Sequence, residues 1–282
     1  MISDMTHRFS RRGLFAAGAA AALAPRISQT ASAAEPGFSL GVATYSLRNF
    51  TRPGALAILK KLRVDKVSIK EMHLPYRSTP EELTRGMADF KKAGIAALSA
   101  GNNTMTKEDM EDLRFYFKYA QGAGIPMLVI APSAATVPMI EKLVKEYNIK
   151  VAIHNHGPED KHFPTPQSVL AAIRNMDPRV GLCLDIGHTT RTGTDIVEAA
   201  KEAGPRLLDL HVKDLRDLMD KDSQCDVGDG KMPIVALFRQ LQKMKYTGGV
   251  MLEYEINADD PYPGMAKSLS YMRGVMAALS AA

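Results

Sequence analysis

From residue 39 onward, short apolar runs alternate with longer amphipathic ones. Eight of the apolar runs read as strands: SLGVATYS (39–46), DKVSIK (65–70), IAALSA (95–100), PMLVIA (126–131), IKVAIH (149–154), VGLCLD (180–185), RLLDLH (206–211) and GVMLEY (249–254). Helical periodicity fills the gaps, most clearly in TPEELTRGMADFKKAG, where Leu83, Met87 and Phe90 share a face and Gly94 marks the stop. Thr79 ahead of Pro80, with Glu82 three residues on, reads as the capped start of that helix. The strands recur at the spacing of a βα unit, with one longer gap before the last. Eight such units predict an α/β protein of the (β/α)8, or TIM barrel, class. A doubly wound open sheet is the competing architecture, but GVATYSLRNF lacks the GxGxxG turn that usually follows its first strand.

The N-terminal segment breaks this pattern. RFSRRGLFAAGAAAALA sets paired arginines before small apolar residues, in a run too short to span a bilayer. Ser10-Arg11-Arg12-Gly13-Leu14-Phe15 resembles the twin-arginine export signal, and Ala31-Ser32-Ala33 has the small-residue pattern of a cleavage site. Residues 1–33 are therefore expected to be a removable signal peptide and residues 34–282 the barrel. The expected location is periplasmic, or otherwise exported, with no stable membrane anchor after cleavage. The whole chain carries a formal charge of +5. Removing the segment leaves 32 basic and 30 acidic residues, so much of the basic excess belongs to the leader. No basic, aromatic-interleaved patch remains to suggest nucleic acid. Two cysteines, Cys183 and Cys225, are expected as free thiols, since the pair alone gives no evidence of a bridge.

Chemistry concentrates where the strands end. Of seven histidines, His7 lies in the leader; His73, His154, His156, His188 and His211 lie at or just past strand ends, and His162 follows in a loop. None falls in an expected helix. Asp185 closes the sixth strand, and Glu253 and Glu255 close the eighth. Carboxylates ending apolar strands are costly to desolvate unless paired or bound to metal. With His154 or His156 and His211 they make a mixed nitrogen and oxygen set, suited to Mn²⁺, Co²⁺, Fe²⁺ or Zn²⁺ rather than Ca²⁺. Residues two apart share a strand face. His154 and Glu253 are therefore expected lower, as ligands, and His156 and Glu255 higher, towards substrate; a bend at His154 would exchange the two histidines. The charged connection 212–232 is expected to be an active-site loop.

HNHGPED, LDIGH, DLHVKD and LEYE, with VSIKEMHLP on the second strand, resemble the xylose-isomerase-like TIM barrels. These include sugar phosphate isomerases and epimerases, and the pattern is similar to an exported subgroup. The resemblance covers roughly residues 39–279. It implies a divalent ion, Mn²⁺ first, on His154, Asp185, His211 and Glu253, chelating a carbonyl and neighbouring hydroxyl of a carbohydrate and stabilising an ene-diolate. Keto-sugar epimerases of the family have glutamate where His154 stands, so two-face epimerisation needs a replacement. Candidate acids and bases are Glu253, His156 and Lys70; His73, Glu71, His188, Lys213 and Glu255 are candidates for substrate binding. Lys70 and Lys213 have a plainer alternative, neutralising nearby carboxylates. The implied activity is a metal-dependent sugar isomerase or epimerase. β-Elimination from a 3-keto-glycoside, or dehydration of a keto-inositol, is the alternative on the same site, and a non-catalytic sugar-binding barrel the third. An abasic-site nuclease is disfavoured by the charge balance and ligand count. Homo-oligomerisation stays open.

Overall fold

The computed structural model describes residues 37–281, and the expected signal peptide lies outside the described residues. The strands are β1 (Ser39–Ala43), β2 (Lys66–Ile69), β3 (Ala96–Met105), β4 (Met127–Pro132), β5 (Lys150–His154), β6 (Val180–Asp185) and β7 (Leu207–Val212). Two short strands, β8 (Asp214–Leu215) and β9 (Gln224–Cys225), precede β10 (Gly249–Leu252). β1 to β7 and β10 form a closed parallel barrel in the order β1-β10-β7-β6-β5-β4-β3-β2, and β8 pairs antiparallel with β9 outside it. The eight staves are the eight apolar runs. The architecture is a TIM barrel.

The helices are α1 (Arg52–Lys61), α2 (Pro80–Lys92), α3 (Met110–Ala123), α4 (Val137–Tyr147), α5 (Pro166–Ile173), α6 (Ile186–Arg191), α7 (Ile196–Ala203), α8 (Ile234–Lys243) and α9 (Tyr262–Ser280). α2 starts as its sequence predicts: the Thr79 hydroxyl accepts from the Glu82 amide, while the Glu82 carboxylate accepts from the Thr79 amide. No helix among the described residues is long and apolar enough to cross a membrane.

Alternation divides the core. Leu128 and Ile130 of β4, Val151 and Ile153 of β5, and Leu182 and Leu184 of β6 join the main apolar core. Met127, Val129, Ala152 and Cys183 form a smaller cluster filling the barrel, with Leu208 against it. Ser99 donates to the buried Asp209 carboxylate (2.8 Å), supplying polar partners inside the staves. Both cysteines are buried and free, as expected.

Two local expectations change. β3 continues past Ala100 to Met105, with a register shift between Ala100 and Asn103. Gly101-Asn102-Asn103, past the expected strand end at residue 100, is an irregular strand segment that carries Asn102 and Thr104 to the barrel mouth. His188, expected just past a strand, lies in α6, which begins directly after β6.

The 212–232 connection is organised by one carboxylate. Asp214 is buried and accepts from four amides, those of Leu215 (2.9 Å), Gly228 (2.9 Å), Gly230 (3.1 Å) and Met232 (3.0 Å). The loop therefore has an internal anchor and presents Gln224 beside β10. The Gln224 amide nitrogen donates to the Glu253 carbonyl (3.1 Å), and its oxygen accepts from the Glu255 amide (2.9 Å).

Candidate active site

His154 ends β5, Asp185 ends β6, His211 lies in β7, and Glu253 follows β10, so the carboxyl ends of four staves supply one cluster. His154 Nε2 is 3.2 Å from His211 Nδ1 and 3.5 Å from Asp185 Oδ2, and His211 Nδ1 is 3.2 Å from Glu253 Oε1. One ligand atom from each of the four lies within 4.8 Å of the others. All four residues are buried.

This donor set fits a divalent ion. Metal–ligand bonds of about 2.1 Å separate neighbouring donors by roughly 3.0–3.4 Å, close to the shorter spacings found here. Asp185 divides its work: Oδ1 accepts from the His188 amide at the start of α6 (2.8 Å), while buried Oδ2 has no hydrogen-bond partner. The second imidazole nitrogens, His154 Nδ1 and His211 Nε2, are likewise buried and unpartnered. Burial pushes the His154 imidazolium down to about 3, with the neighbouring His156 adding to the effect, so the ring is neutral and able to ligate. Cys183 also lies within reach of the two histidines, but burial pushes its thiol up to about 12. The nitrogen and oxygen set offers four donors against three for the set with Cys183.

Lys213 is buried against the same carboxylates. Its Nζ lies 3.1 Å from Asp185 Oδ2, 2.9 Å from Glu253 Oε2 and 2.5 Å from Glu255 Oε2. Burial alone would push the Asp185 and Glu253 carboxyls up, but the adjacent ammonium outweighs it and holds both well below the usual carboxylate range. At Glu255 burial prevails despite Lys213, and the carboxyl is raised.

A cavity of about 240 Å³ opens over this cluster, lined by Tyr45, Lys70, Asn102, Thr104, His154, His156, His188, Glu253 and Glu255. The side chain of His156 is 30% exposed against 3% for His154, so the lower and upper positions follow the strand alternation. His156 Nε2 pairs with Asn102 Nδ2 (2.7 Å), and its Nδ1 lies 3.3 Å from Asp160 Oδ2. Arg191 donates to His188 Nδ1 (2.8 Å), which leaves the proton of a neutral His188 on Nε2. Lys70 bonds the Asn102 carbonyl and lies 3.0 Å from Glu71 Oε2. A wider cleft of about 690 Å³ shares Thr104, His156, His188 and Glu255 with the inner cavity and extends to Gln224 and Lys221 of the 212–232 loop.

Three expected substrate-binding residues do not line this cavity: Lys213 is buried against the carboxylates instead, and two others lie elsewhere. His73 is buried, with Nε2 hydrogen-bonded to the Phe50 carbonyl (3.2 Å); it packs beneath the loop between β1 and α1. Glu71 flanks Lys70 and lies outside the cavity wall. Conversely, Asn102, Asp160 and Arg191, which hold the site's histidines, were not legible as site residues. Asn102 looks like part of a turn, and only folding sets the other two beside their rings.

The family model of the xylose isomerase-like TIM barrel matches residues 73–275. No curated protein matches in sequence. Among solved structures, an uncharacterised protein from Parabacteroides distasonis is similar, with TM-score 0.67 and 24% identity, over 84% of this chain and 99% of that one. The 3-keto-D-glucoside 4-epimerase YcjR of E. coli superimposes with TM-score 0.68 and 16% identity, over 84% and 99% of the two chains. The IOLI protein with a bound zinc atom gives TM-score 0.70 and 17% identity, over 86% and 98%. These likenesses describe the fold. With eight parallel staves closed into a barrel and the family model spanning most of its length, the chain belongs to the xylose isomerase-like TIM barrel family.

Proposed function

We propose that the protein is a divalent-metal-dependent isomerase or epimerase of a keto-sugar or sugar derivative, working by proton abstraction next to a carbonyl. The observation that carries this reading is the convergence of His154 Nε2, Asp185 Oδ2, His211 Nδ1 and Glu253 Oε1 beneath a polar cavity of sugar-ring scale. A divalent ion held by these four residues would polarise a substrate carbonyl and its neighbouring hydroxyl, acidifying the C–H between them. Mn²⁺ is our first choice among Mn²⁺, Co²⁺, Fe²⁺ and Zn²⁺, on the strength of the mixed donor set.

The chain's own groups supply the rest. His188, fixed by Arg191, offers an Nε2 proton to a substrate oxygen. His156 and Lys70 face the cavity as proton-handling groups, with Asn102 contacting both. The proton leaves carbon, the ene-diol forms, and its return to the adjacent carbon gives the isomer. We further propose that residues 1–33 direct export by the twin-arginine route and are then removed.

A second reading, β-elimination from an oxidised glycoside, draws support from the outer cleft of about 690 Å³, which leaves room for a group beyond one sugar ring. Metal analysis of the purified protein, followed by NMR of keto-sugars and 3-keto-glycosides in D₂O, tests both. Deuterium uptake next to the carbonyl is expected under either reading, and release of an aglycone identifies the elimination. Absence of bound metal and of exchange would refute the proposal.

A further inference from the structure

The eighth stave ends in two carboxylates, Glu253 and Glu255, and their surroundings give them different tasks. Both oxygens of Glu253 are engaged. Oε1 faces His211 Nδ1 in the ligand cluster (3.2 Å), and Oε2 accepts from Lys213 (2.9 Å). A base needs a free lone pair within hydrogen-bond reach of the proton it removes; with Oε1 given to a metal, Glu253 would offer only the remaining lone pair of Oε2, beside the Lys213 ammonium. Glu255 is arranged otherwise. Only Oε2 is held by Lys213; Oε1 has no hydrogen-bond partner among the described residues. Its side chain lines both the inner cavity and the outer cleft, where a substrate lying over the ligand cluster would be.

The backbone beneath it is fixed from two sides. Arg48 Nη2 donates to the Glu255 carbonyl (2.6 Å), and Gln224 accepts from its amide (2.9 Å).

We infer that Glu255, not the metal-ligand position Glu253, is the carboxylate that takes the substrate proton, and that Lys213 keeps the two apart by holding one oxygen of each. This rests on the proton-abstraction reading above. In the step, Glu255 Oε1 accepts the proton from the carbon next to the carbonyl. The C–H electron pair becomes the new C=C bond, and the carbonyl π pair moves onto oxygen. Glu255 then gives the proton to the former carbonyl carbon while the hydroxyl proton of the first carbon passes to the former carbonyl oxygen, which completes isomerisation, or the electron pair expels a β-substituent, which takes up the proton, in the elimination. Lys213 is a positioning residue in this scheme.

The test uses the metal-loaded protein and two readouts: metal per chain, and deuterium exchange in D₂O with D-fructose, D-psicose and methyl 3-keto-α-D-glucopyranoside as probes. Glu255→Gln is expected to keep wild-type metal and melting temperature while losing exchange by roughly 100-fold or more, the usual scale of one general base. Glu255→Asp, which keeps the carboxylate but shortens its reach, should fall between. Glu253→Gln should lose metal. Wild-type exchange preserved in Glu255→Gln would overturn the inference and leave the functional reading standing. Metal lost in Glu255→Gln but kept in Glu253→Gln would overturn it as well, by exchanging the two roles. A wild-type protein that exchanges none of the three probes would refute the functional reading, and the inference with it.

Discussion

The Lys213 ammonium bridges Glu253 and Glu255, 2.9 Å from Oε2 of the first and 2.5 Å from Oε2 of the second, and reaches Asp185 Oδ2 at 3.1 Å. A single buried cation is therefore shared among three carboxylates where the four-residue ligand cluster forms. It also competes with any ion for Asp185 Oδ2. Lys213→Met should weaken the metal-free protein by about 3–5 kcal/mol, because removing one partner leaves buried charge uncompensated. The same variant should bind a divalent ion more tightly than wild type, since the internal competitor is gone. Melting temperatures with chelator and with Mn²⁺ check both: the metal-induced rise should be larger in the variant. A smaller rise would contradict the competition.

The ligand assignment has its own test. The double variant His154→Ala, Asp185→Ala removes two of four donors and should lose bound metal during gel filtration. Chelator should then lower the melting temperature of wild type but leave that of the variant unchanged. Metal retained by the variant would place the ion elsewhere.

Asp214 predicts a stability effect without chemistry at its origin. Its carboxylate accepts from four backbone amides in a buried setting. Asp214→Ala should cost about 3 kcal/mol or more, as several donors lose a charged acceptor together. The effect should appear as a lower denaturation midpoint and as faster proteolytic cleavage between residues 216 and 231. Because the loop positions Gln224, reduced activity should accompany it.

His73 gives a pH dependence outside the ligand cluster. Burial outweighs its bonds to the Phe50 and Leu47 carbonyls and holds its pKa below the ordinary 6.5. Below that pH the unfolded chain binds a proton that the folded chain refuses, so stability falls as pH drops and is unaffected above it. His154, His156 and His188 are shifted the same way and His211 the opposite way, so the wild-type change is a sum of both signs, and the His73 part is read from the difference between variant and wild type. Urea melts at pH of about 7.5 and about 5.5 should show a shallower decline for His73→Gln than for wild type. Equal declines would show that His73 protonates freely when folded.

Much of this was legible in the chain. Apolar runs of strand length, recurring with intervening helical faces, have few ways to bury themselves other than as βα units, so eight staves and a parallel barrel follow from local pattern. The Thr79 and Glu82 cap involves neighbours in sequence and was equally readable. Period-two alternation put His154 with His156 and Glu253 with Glu255; which histidine lies lower depends on a bend at the strand end, and the structure places His154 there. The extension of β3 was not readable, since Gly-Asn-Asn favours a turn locally and only pairing with β4 makes it a strand. His73 stands beside a strand end as its fellow histidines do, yet closes onto Phe50 rather than onto the cavity; sequence position does not fix which way such a chain turns.

What the sequence by itself determined is the barrel and the strand-end histidines and carboxylates that gather at one end of it, though not Asn102, Asp160 or Arg191, which hold them. What the tertiary structure decided is how those residues share the work. Lys213 divides Glu253 from Glu255, Asp185 gives one oxygen to α6 and turns the other towards His154 and Lys213, and Arg191 fixes the proton on His188. These are relations among groups far apart in sequence, or turned towards one another by a particular loop, and their energies depend on distances and burial that exist only once the barrel has closed.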